Sequence, residues 1–194
     1  MRLFLLNPQE FYEKRDICNR AKISSDTALK ELRILKNIGL VKKKVFYKEN
    51  PKGKITKSGT PAKKKLSGWI LNPGFVFLSE LQDFLIKTLS LSDRDIIKRL
   101  RPAIGKLKLV VVAGVFIKNW ESRVDILIVA DKIKEKQLAS ILKSMEAEIG
   151  REIRYAVFNT EDFKYRLTVC DKLIRDIFDY SHRVILDQLD IQKK

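Results

Sequence analysis

Apolar residues recur at helical spacing in the first third of the chain. The positions that carry this pattern are Ala28, Leu32 and Leu35. They follow the segment Ser24-Ser25-Asp26, whose side chains can cap a helix, and Gly39 ends the pattern. A shorter helical segment, residues 15–21, precedes the capping segment. Two helices joined by so short a turn predict a helix-turn-helix unit.

Two strand-like segments follow this helix pair. Residues 41–47 and 66–71 are rich in β-branched and aromatic side chains. The turn-forming residues between them are Asn50-Pro51, Gly53, Gly59 and Pro61. The span from Lys42 to Lys65 holds ten lysines and a single acid. The pattern therefore predicts a β-hairpin with a lysine-coated tip.

Beyond residue 77, helical and strand-like segments alternate. Helical spacing covers residues 78–86, 94–100 and 133–149, and short β-branched runs cover 107–113, 124–129 and 153–158. Apolar residues over 171–189 predict a C-terminal helix that packs on the sheet or on a twin chain. Strands that alternate with helices predict an α/β (α+β) fold, with a domain boundary between residues 76 and 77.

Charge is distributed unevenly over the 194 residues. The net charge is +16, which attracts polyanions such as nucleic acid or an anionic membrane. The segment that ends at Leu66 holds 18 Lys and Arg against 6 Asp and Glu, whereas the remainder holds 22 against 18. This asymmetry favours a polyanion-binding module fused to a more neutral domain, and the alternative is a basic surface that is merely well solvated.

Several classes of protein are disfavoured by the residue inventory. Cys18, Cys170 and His182 form no ligand set for structural zinc or an iron–sulfur cluster, and they provide no disulfide framework or local nucleophile motif. The longest apolar stretch, residues 107–117, is interrupted by Lys108 and is shorter than the roughly 20 residues that span a bilayer. We therefore expect a soluble cytoplasmic protein with no membrane partner.

The stretch SSDTALKELRILKNIGLVKKKVFYK resembles the recognition helix and first wing strand of winged helix-turn-helix transcription regulators of the ArsR/MarR type. Thr27-Ala28, Leu32, Leu35 and Gly39-Leu40-Val41 match the family pattern, and Leu29 departs from it because these regulators often have a polar residue there. The resemblance covers residues 2–72. It implies a DNA-binding domain over residues 1–76 that acts as a homodimer on paired half-sites.

The same resemblance implies which side chains would meet double-stranded DNA. On the recognition helix they are Ser25, Thr27, Lys30 and Arg33. On the wing they are Lys43, Lys44, Lys52, Lys54 and Lys57, which would follow phosphates as point charges. The alternative is that Ser25 only caps the helix and that Lys30 and Arg33 form a solvated face.

The stretches KLKLVVVAGVFIKNWESRVDILIV and GREIRYAVFNTEDFKYRL are similar to minimal nucleotidyltransferase domains of the DNA polymerase β superfamily, which are often fused behind a winged helix. The resemblance covers about residues 85–189. Active members hold nucleotide phosphates at a Gly-Ser strand end and two magnesium ions on an Asp-x-Asp pair, whose alternate residues share a sheet face.

This chain departs from that catalytic pattern. It keeps Gly114 and Asp125, but Val115 stands in place of the serine and Arg123 in place of the first aspartate. We expect Arg123 to lie beside Asp125 on one strand face and to pair with it. No carboxylate lies between residues 153 and 158 to serve as the third ligand, and Glu152 just before them is a weak candidate. The resemblance then implies an inactive domain over residues 77–194, without metal or cofactor.

Two further interpretations of this domain stay open. Gly114 with Lys118, Arg123 and Arg151 could bind a nucleotide effector without metal, or Gly114 could serve a tight turn and Arg123 an ordinary ion pair. For the whole chain, the preferred interpretation is a transcription regulator. The alternatives are an active nucleotidyltransferase that modifies a nucleic acid or a protein hydroxyl, and an antitoxin-like or RNA-binding scaffold.

Overall fold

The computed structural model of this chain describes residues 1–49, 63–88, 91–119 and 122–191. The chain forms two compact units, Met1–Leu85 with Ala147–Arg151 and Ile86–Glu146 with Glu152–Lys194. The division falls inside a helix, C-terminal to the boundary predicted from the sequence. The identity of the two predicted domains, 1–76 and 77–194, stays a prediction.

The first unit contains the two helices that the apolar spacing predicts. After a short helix α1 (Arg2–Leu5) come α2 (Lys14–Ala21) and α3 (Ser25–Asn37). In the turn between α2 and α3, Lys22 adopts a left-handed conformation with φ of 52°, and the N–H of Ile23 donates to the carbonyl of Cys18 at 3.2 Å. Ser24 then caps α3, because its hydroxyl oxygen accepts from the N–H of Thr27 at 3.2 Å.

Helix α3 ends where its glycine predicts. Gly39 has φ of +83°, its N–H donates to the carbonyl of Lys36 at 3.0 Å, and the N–H of Leu40 donates to that of Leu35 at 2.9 Å. This pair of bonds is the Schellman ending, which satisfies carbonyl groups that the last turn leaves unpaired. The side chains that α3 buries are Ala28, Leu32 and Leu35, as its periodicity predicts.

A β-hairpin follows α3 directly. Strand β1 (Val41–Glu49) pairs antiparallel with β2 (Lys63–Leu71), in a register that runs from Val41 opposite Leu71 to Glu49 opposite Lys63. The predicted hairpin is therefore confirmed, and its turn lies outside the described residues. Tyr12 and Trp69 exchange backbone hydrogen bonds of 3.0 and 2.9 Å at the base of the hairpin. Gly68 permits this approach, since a Cβ there would overlap the Phe11 ring and the Tyr12 carbonyl.

The rest of the chain mixes helices and strands, which confirms the α/β (α+β) class. Its elements in order are α4 (Leu78–Thr88), α5 (Asp93–Leu100), β3 (Ile104–Val112), β4 (Ile126–Ile133), α6 (Glu135–Ile149), β5 (Tyr155–Phe158), α7 (Thr160–Thr168), α8 (Lys172–Asp179) and β6 (Arg183–Asp187). The pattern did not predict α7, whose start is set by a local cap: the Asn159 side-chain oxygen accepts from the N–H of Asp162 at 2.7 Å.

Strands β3 to β6 form a sheet in the order β5-β4-β3-β6 within the described residues. Strands β4 and β5 are parallel and are joined through α6, whereas β3 is antiparallel to β4 and β6. Val111 and Leu127 lie opposite each other and pack with Phe163 of α7 in one core cluster. Val110 and Ile128 form a pair on the other face and are fully buried too. A strand buried on both faces explains the unbroken apolar runs.

The C-terminal helix predicted over residues 171–189 is wrong beyond Asp179. Helix α8 ends there, Tyr180 is extended, and the chain returns as β6 along the free edge of β3, where Val184 lies opposite Val111. The backbone donors and acceptors of the β3 edge need partners, and β6 supplies them while Val184 packs against the core. The described residues include no helix that combines the length and apolar character needed to cross a bilayer.

Candidate functional site

The exposed side of α3 carries two of the predicted DNA contacts together. Lys30 and Arg33 are exposed and lie one turn apart, on the side opposite the buried stripe of the helix. Ser25 and Thr27 are also exposed and lie in the first turn. The cap is the neighbouring Ser24, and the Thr27 hydroxyl lies 2.9 Å from its oxygen. Thr27 therefore contributes to the cap as well as to the exposed surface.

One residue on this side of α3 was missed by the sequence analysis. Ile34 follows Lys30 by one turn and is 55% exposed. It is one residue out of step with the buried stripe that includes Leu32 and Leu35. That offset was the signal available in the sequence.

The hairpin distributes its lysines over two faces. Lys43 and Lys44 are exposed, but successive side chains of a strand point to opposite faces, so these two lysines do not act side by side. Lys42, which is exposed and was not among the predicted contacts, shares the face of Lys44. The three remaining predicted contacts, Lys52, Lys54 and Lys57, lie outside the described residues.

In the second unit, Asp125 is buried, with 2% of its surface exposed. Its Oδ1 accepts from the N–H of Val115 at 2.9 Å and from Nη2 of Arg154 at 3.3 Å. Its Oδ2 accepts from the N–H of Arg154 at 2.8 Å and from Nε of the same residue at 3.1 Å. These bonds occupy the roughly four lone-pair positions of a carboxylate, and the guanidinium contact is bidentate.

Gly114 lies against this carboxylate. It has φ of +49°, and a Cβ there would overlap the carboxylate of Asp125. Gly114, Val115 and Asp125 therefore come together as the resemblance implies, but all three are buried. The N–H of Val115 donates to the carboxylate of Asp125.

The predicted ion pair between Arg123 and Asp125 is wrong. Both residues lie before β4, so strand alternation does not place them on one face. Arg123 is 70% exposed at its side chain and pairs with Asp176 of α8 at 3.2 Å. Arg154, and not Arg123, pairs with Asp125. Strands β4 and β5 are parallel with Ile126 opposite Tyr155, so the residues directly before the two strands, Asp125 and Arg154, lie side by side. That register was the signal that sequence reasoning missed.

A cavity of about 460 Å³ lies beside Arg123 within the second unit. Its polar lining includes Asn119, Ser122, Arg123, Lys172, Asp176 and Tyr180. Lys118, also considered for an anion site, donates to the carbonyl of Lys87 at 3.3 Å, and Arg151 belongs to the first unit. In the described ranges no three His, Cys, Asp or Glu side chains converge as metal ligands would.

Comparison with known proteins gives a partial structural similarity. No protein-family model matches this chain, and no curated protein matches it. The fold is similar in part to the crystal structure of a mutant of the toxin-antitoxin MntA-HpeT, at 13% sequence identity and a TM-score of 0.35. The similarity covers 53% of this chain and 79% of that chain.

Proposed function

We propose that this protein is a DNA-binding transcription regulator whose first unit is a winged helix. The observation that carries the proposal is the sequence of elements in that unit. A capped helix with exposed Lys30 and Arg33 follows a second helix across a three-residue turn and leads directly into a lysine-rich hairpin. Helix α3 would enter the major groove, which is about 12 Å wide and admits a helix.

The two parts of this surface have different roles in the proposal. Lys30 and Arg33 lie on the side of α3 that would face base edges, where a guanidinium can bind guanine bidentately. The hairpin lysines, among them Lys43 and Lys44, would neutralise phosphates and release counterions, which gives affinity that depends on salt and little on sequence. The cytoplasm and a homodimer on paired half-sites belong to this proposal.

The second unit would not transfer nucleotides in this proposal. In the superfamily that the sequence resembles, magnesium binds a cluster of carboxylates, whereas here the hydrogen-bonding capacity of Asp125 is taken up by Arg154 and Val115. Arg154 lies directly before β5, in the region where the third carboxylate would be expected. Assembly or the sensing of a nucleotide effector is the role that we propose for this unit.

The test is duplex selection from a random pool, followed by binding titrations over a range of salt concentrations. The double variant Lys42→Ala/Lys44→Ala, which removes two exposed lysines on one face of the hairpin, should weaken all duplexes about equally and lower the salt slope by about 1 per lysine. Arg33→Ala should relax the preference at one base position by about 1–3 kcal/mol.

Lys164→Ala, a change of an exposed lysine in α7, is the charge-matched control for Arg33→Ala. Lys136→Ala/Lys143→Ala, two exposed lysines of α6, is the charge-matched control for the hairpin variant. Both controls should bind as the wild type does.

Two outcomes of these titrations would contradict the proposal. Unchanged affinity and salt slope in the hairpin variant would remove the hairpin from the interface. Tighter binding to structured RNA than to duplex DNA at matched salt would favour the scaffold alternative, because the deep major groove of A-form RNA does not admit a helix. Incubation with labelled ATP and magnesium tests the enzyme alternative, and transfer of label to a nucleic acid or protein hydroxyl would establish it.

A further inference from the structure

The side of α3 that carries Lys30 and Arg33 also carries an isoleucine. Ile34 lies one turn beyond Lys30 and two turns beyond Thr27 and is 55% exposed. It is not part of the hydrophobic core, which α3 contacts through Ala28, Leu32 and Leu35. Single exposed apolar residues are ordinary on protein surfaces, so the exposure of Ile34 says little by itself. The informative feature is that Ile34 lies one turn from the exposed Lys30 on the outer side of α3.

The charges around Ile34 favour one class of partner. An apolar protein surface that covered this isoleucine would also have to desolvate Lys30, which lies one turn away on the same side of the helix, and this is costly without an anionic group to pair it. The major groove of DNA offers both kinds of contact at once. Its phosphates and guanine edges pair with the cations, and the C5-methyl group of thymine is an apolar group displayed on a base edge.

We propose that Ile34 is a specificity-determining residue that contacts a thymine methyl group in the major groove. This inference rests on the proposed function and adds a base identity to it. Lys30 and Ile34 are four residues apart, about 6 Å along a helix that rises 1.5 Å per residue. With bases about 3.4 Å apart along a strand, the thymine lies within about two base pairs of the position that Lys30 contacts.

The experiment removes the methyl group and nothing else. Each thymine of a duplex selected by the wild-type protein is replaced in turn by deoxyuridine, and dissociation constants are measured for the wild type, Ile34→Ala and Ile38→Ala. Ile38 is the matched control, because it is also exposed, at 52%, and lies one turn further along, at the end of α3. At one thymine, the replacement should raise the dissociation constant of the wild type about fourfold, which is the effect of one buried methyl group.

The variants then separate the contact from a general loss of binding. Ile34→Ala should bind the thymine and deoxyuridine duplexes equally at that position, whereas Ile38→Ala should retain the wild-type difference. Two results would overturn this inference and leave the proposed function standing. In the first, deoxyuridine weakens binding by Ile34→Ala as much as binding by the wild type. In the second, no replacement of thymine weakens binding by the wild type. A wild type that binds no duplex would overturn the proposed function itself.

A second measurement addresses a protein partner for the same side chain. Sedimentation of the wild type and Ile34→Ala over a range of concentrations should give the same oligomeric state for both. A lower oligomeric state in Ile34→Ala would place Ile34 in a contact between copies of the chain and would overturn the assignment to DNA.

Discussion

At the scale of single residues, Asp125 connects segments of the second unit that are far apart in sequence. Its carboxylate accepts from Val115, which follows β3, and from Arg154, which precedes β5. Its own backbone N–H donates to the carbonyl of Arg154 at 2.6 Å. A charged group that is buried must be paired and hydrogen-bonded, and here it holds the ends of three strands in register.

Replacement of Arg154 tests this assignment. Arg154→Ala should lower the free energy of unfolding by about 1.5–3 kcal/mol, because it leaves the buried carboxylate of Asp125 short of charged donors. Arg123→Ala is the matched control and should change stability by less than about 1 kcal/mol, since the Arg123 side chain is 70% exposed and solvent screens its pair with Asp176. Urea denaturation measures both values. Equal losses in the two variants would contradict the pairing described for Asp125.

The glycine beside Asp125 provides an independent test. Gly114→Ala should cost about 2–4 kcal/mol, from a left-handed backbone and from displaced hydrogen bonds of the carboxylate. Gly74→Ala in the first unit should cost less than about 1 kcal/mol, because Gly74 has no left-handed backbone and the nearest atom to an added Cβ would be the Asn72 Oδ1 at 3.6 Å, an ordinary contact. Thermal unfolding compares the two variants, and a similar shift in both would rule out the steric explanation.

A second carboxylate makes the stability of this unit depend on pH. Two hydrogen bonds to the carboxylate of Asp131 hold its pKa below the ordinary value of 3.8: the stronger effect comes from the backbone N–H of Thr160 and the weaker from the Thr160 hydroxyl. The positive charges of Lys108 and Lys106 also lower this pKa. A lowered pKa in the folded state means that the stabilisation is complete above pH 3.8 and is lost as the pH falls through the folded value. The stability difference between the wild type and Asp131→Asn should therefore be constant above pH 3.8 and shrink as the pH falls below it. Urea titrations at pH 7 and pH 3 check this, and a difference that does not change with pH would contradict it.

At the scale of elements, α3 and the hairpin form from local signals. The helix has a cap at Ser24 and a glycine ending at Gly39, and its apolar residues repeat at helical spacing between them. The strands of the hairpin begin two residues after that glycine and meet in an antiparallel register. These features lie close together in the sequence, so pattern alone predicted them.

The cap of α3 can be tested with adjacent serines. Ser24→Ala should destabilise the first unit by about 1 kcal/mol, because it removes the acceptor for the N–H of Thr27. Ser25→Ala should stay within about 0.5 kcal/mol, since Ser25 is exposed and lies inside the helix. Hydrogen exchange of the first-turn amides of α3 reports the difference. A larger effect at Ser25 would show that Ser25, and not Ser24, is the cap of α3.

At the scale of the whole molecule, most of the excess positive charge lies in one of the two compact units. The segment through Leu66, which lies within the first unit, carries most of the excess of Lys and Arg. A polyanion should therefore bind the first unit and leave the core of the second one unchanged.

Hydrogen exchange with and without duplex DNA checks this expectation. Binding to the folded state stabilises the unit that binds, so exchange should slow in α3, β1 and β2. Amides of α7 and α8 should exchange at the same rate with and without duplex. Equal slowing in the two units would contradict confinement of binding to the first unit, and slowing confined to α7 and α8 would place the interface elsewhere.

The sequence by itself determined the helix pair, the hairpin, the strands β3 to β5 and the distribution of charge, because each follows from spacing or composition within a short stretch. Tertiary structure decided that Arg154 and not Arg123 pairs with Asp125, and that residues 183–187 form a strand along β3. These outcomes depend on strand register and on which strand edges are paired. Both are set by contacts between residues far apart in the chain, which the local pattern does not contain.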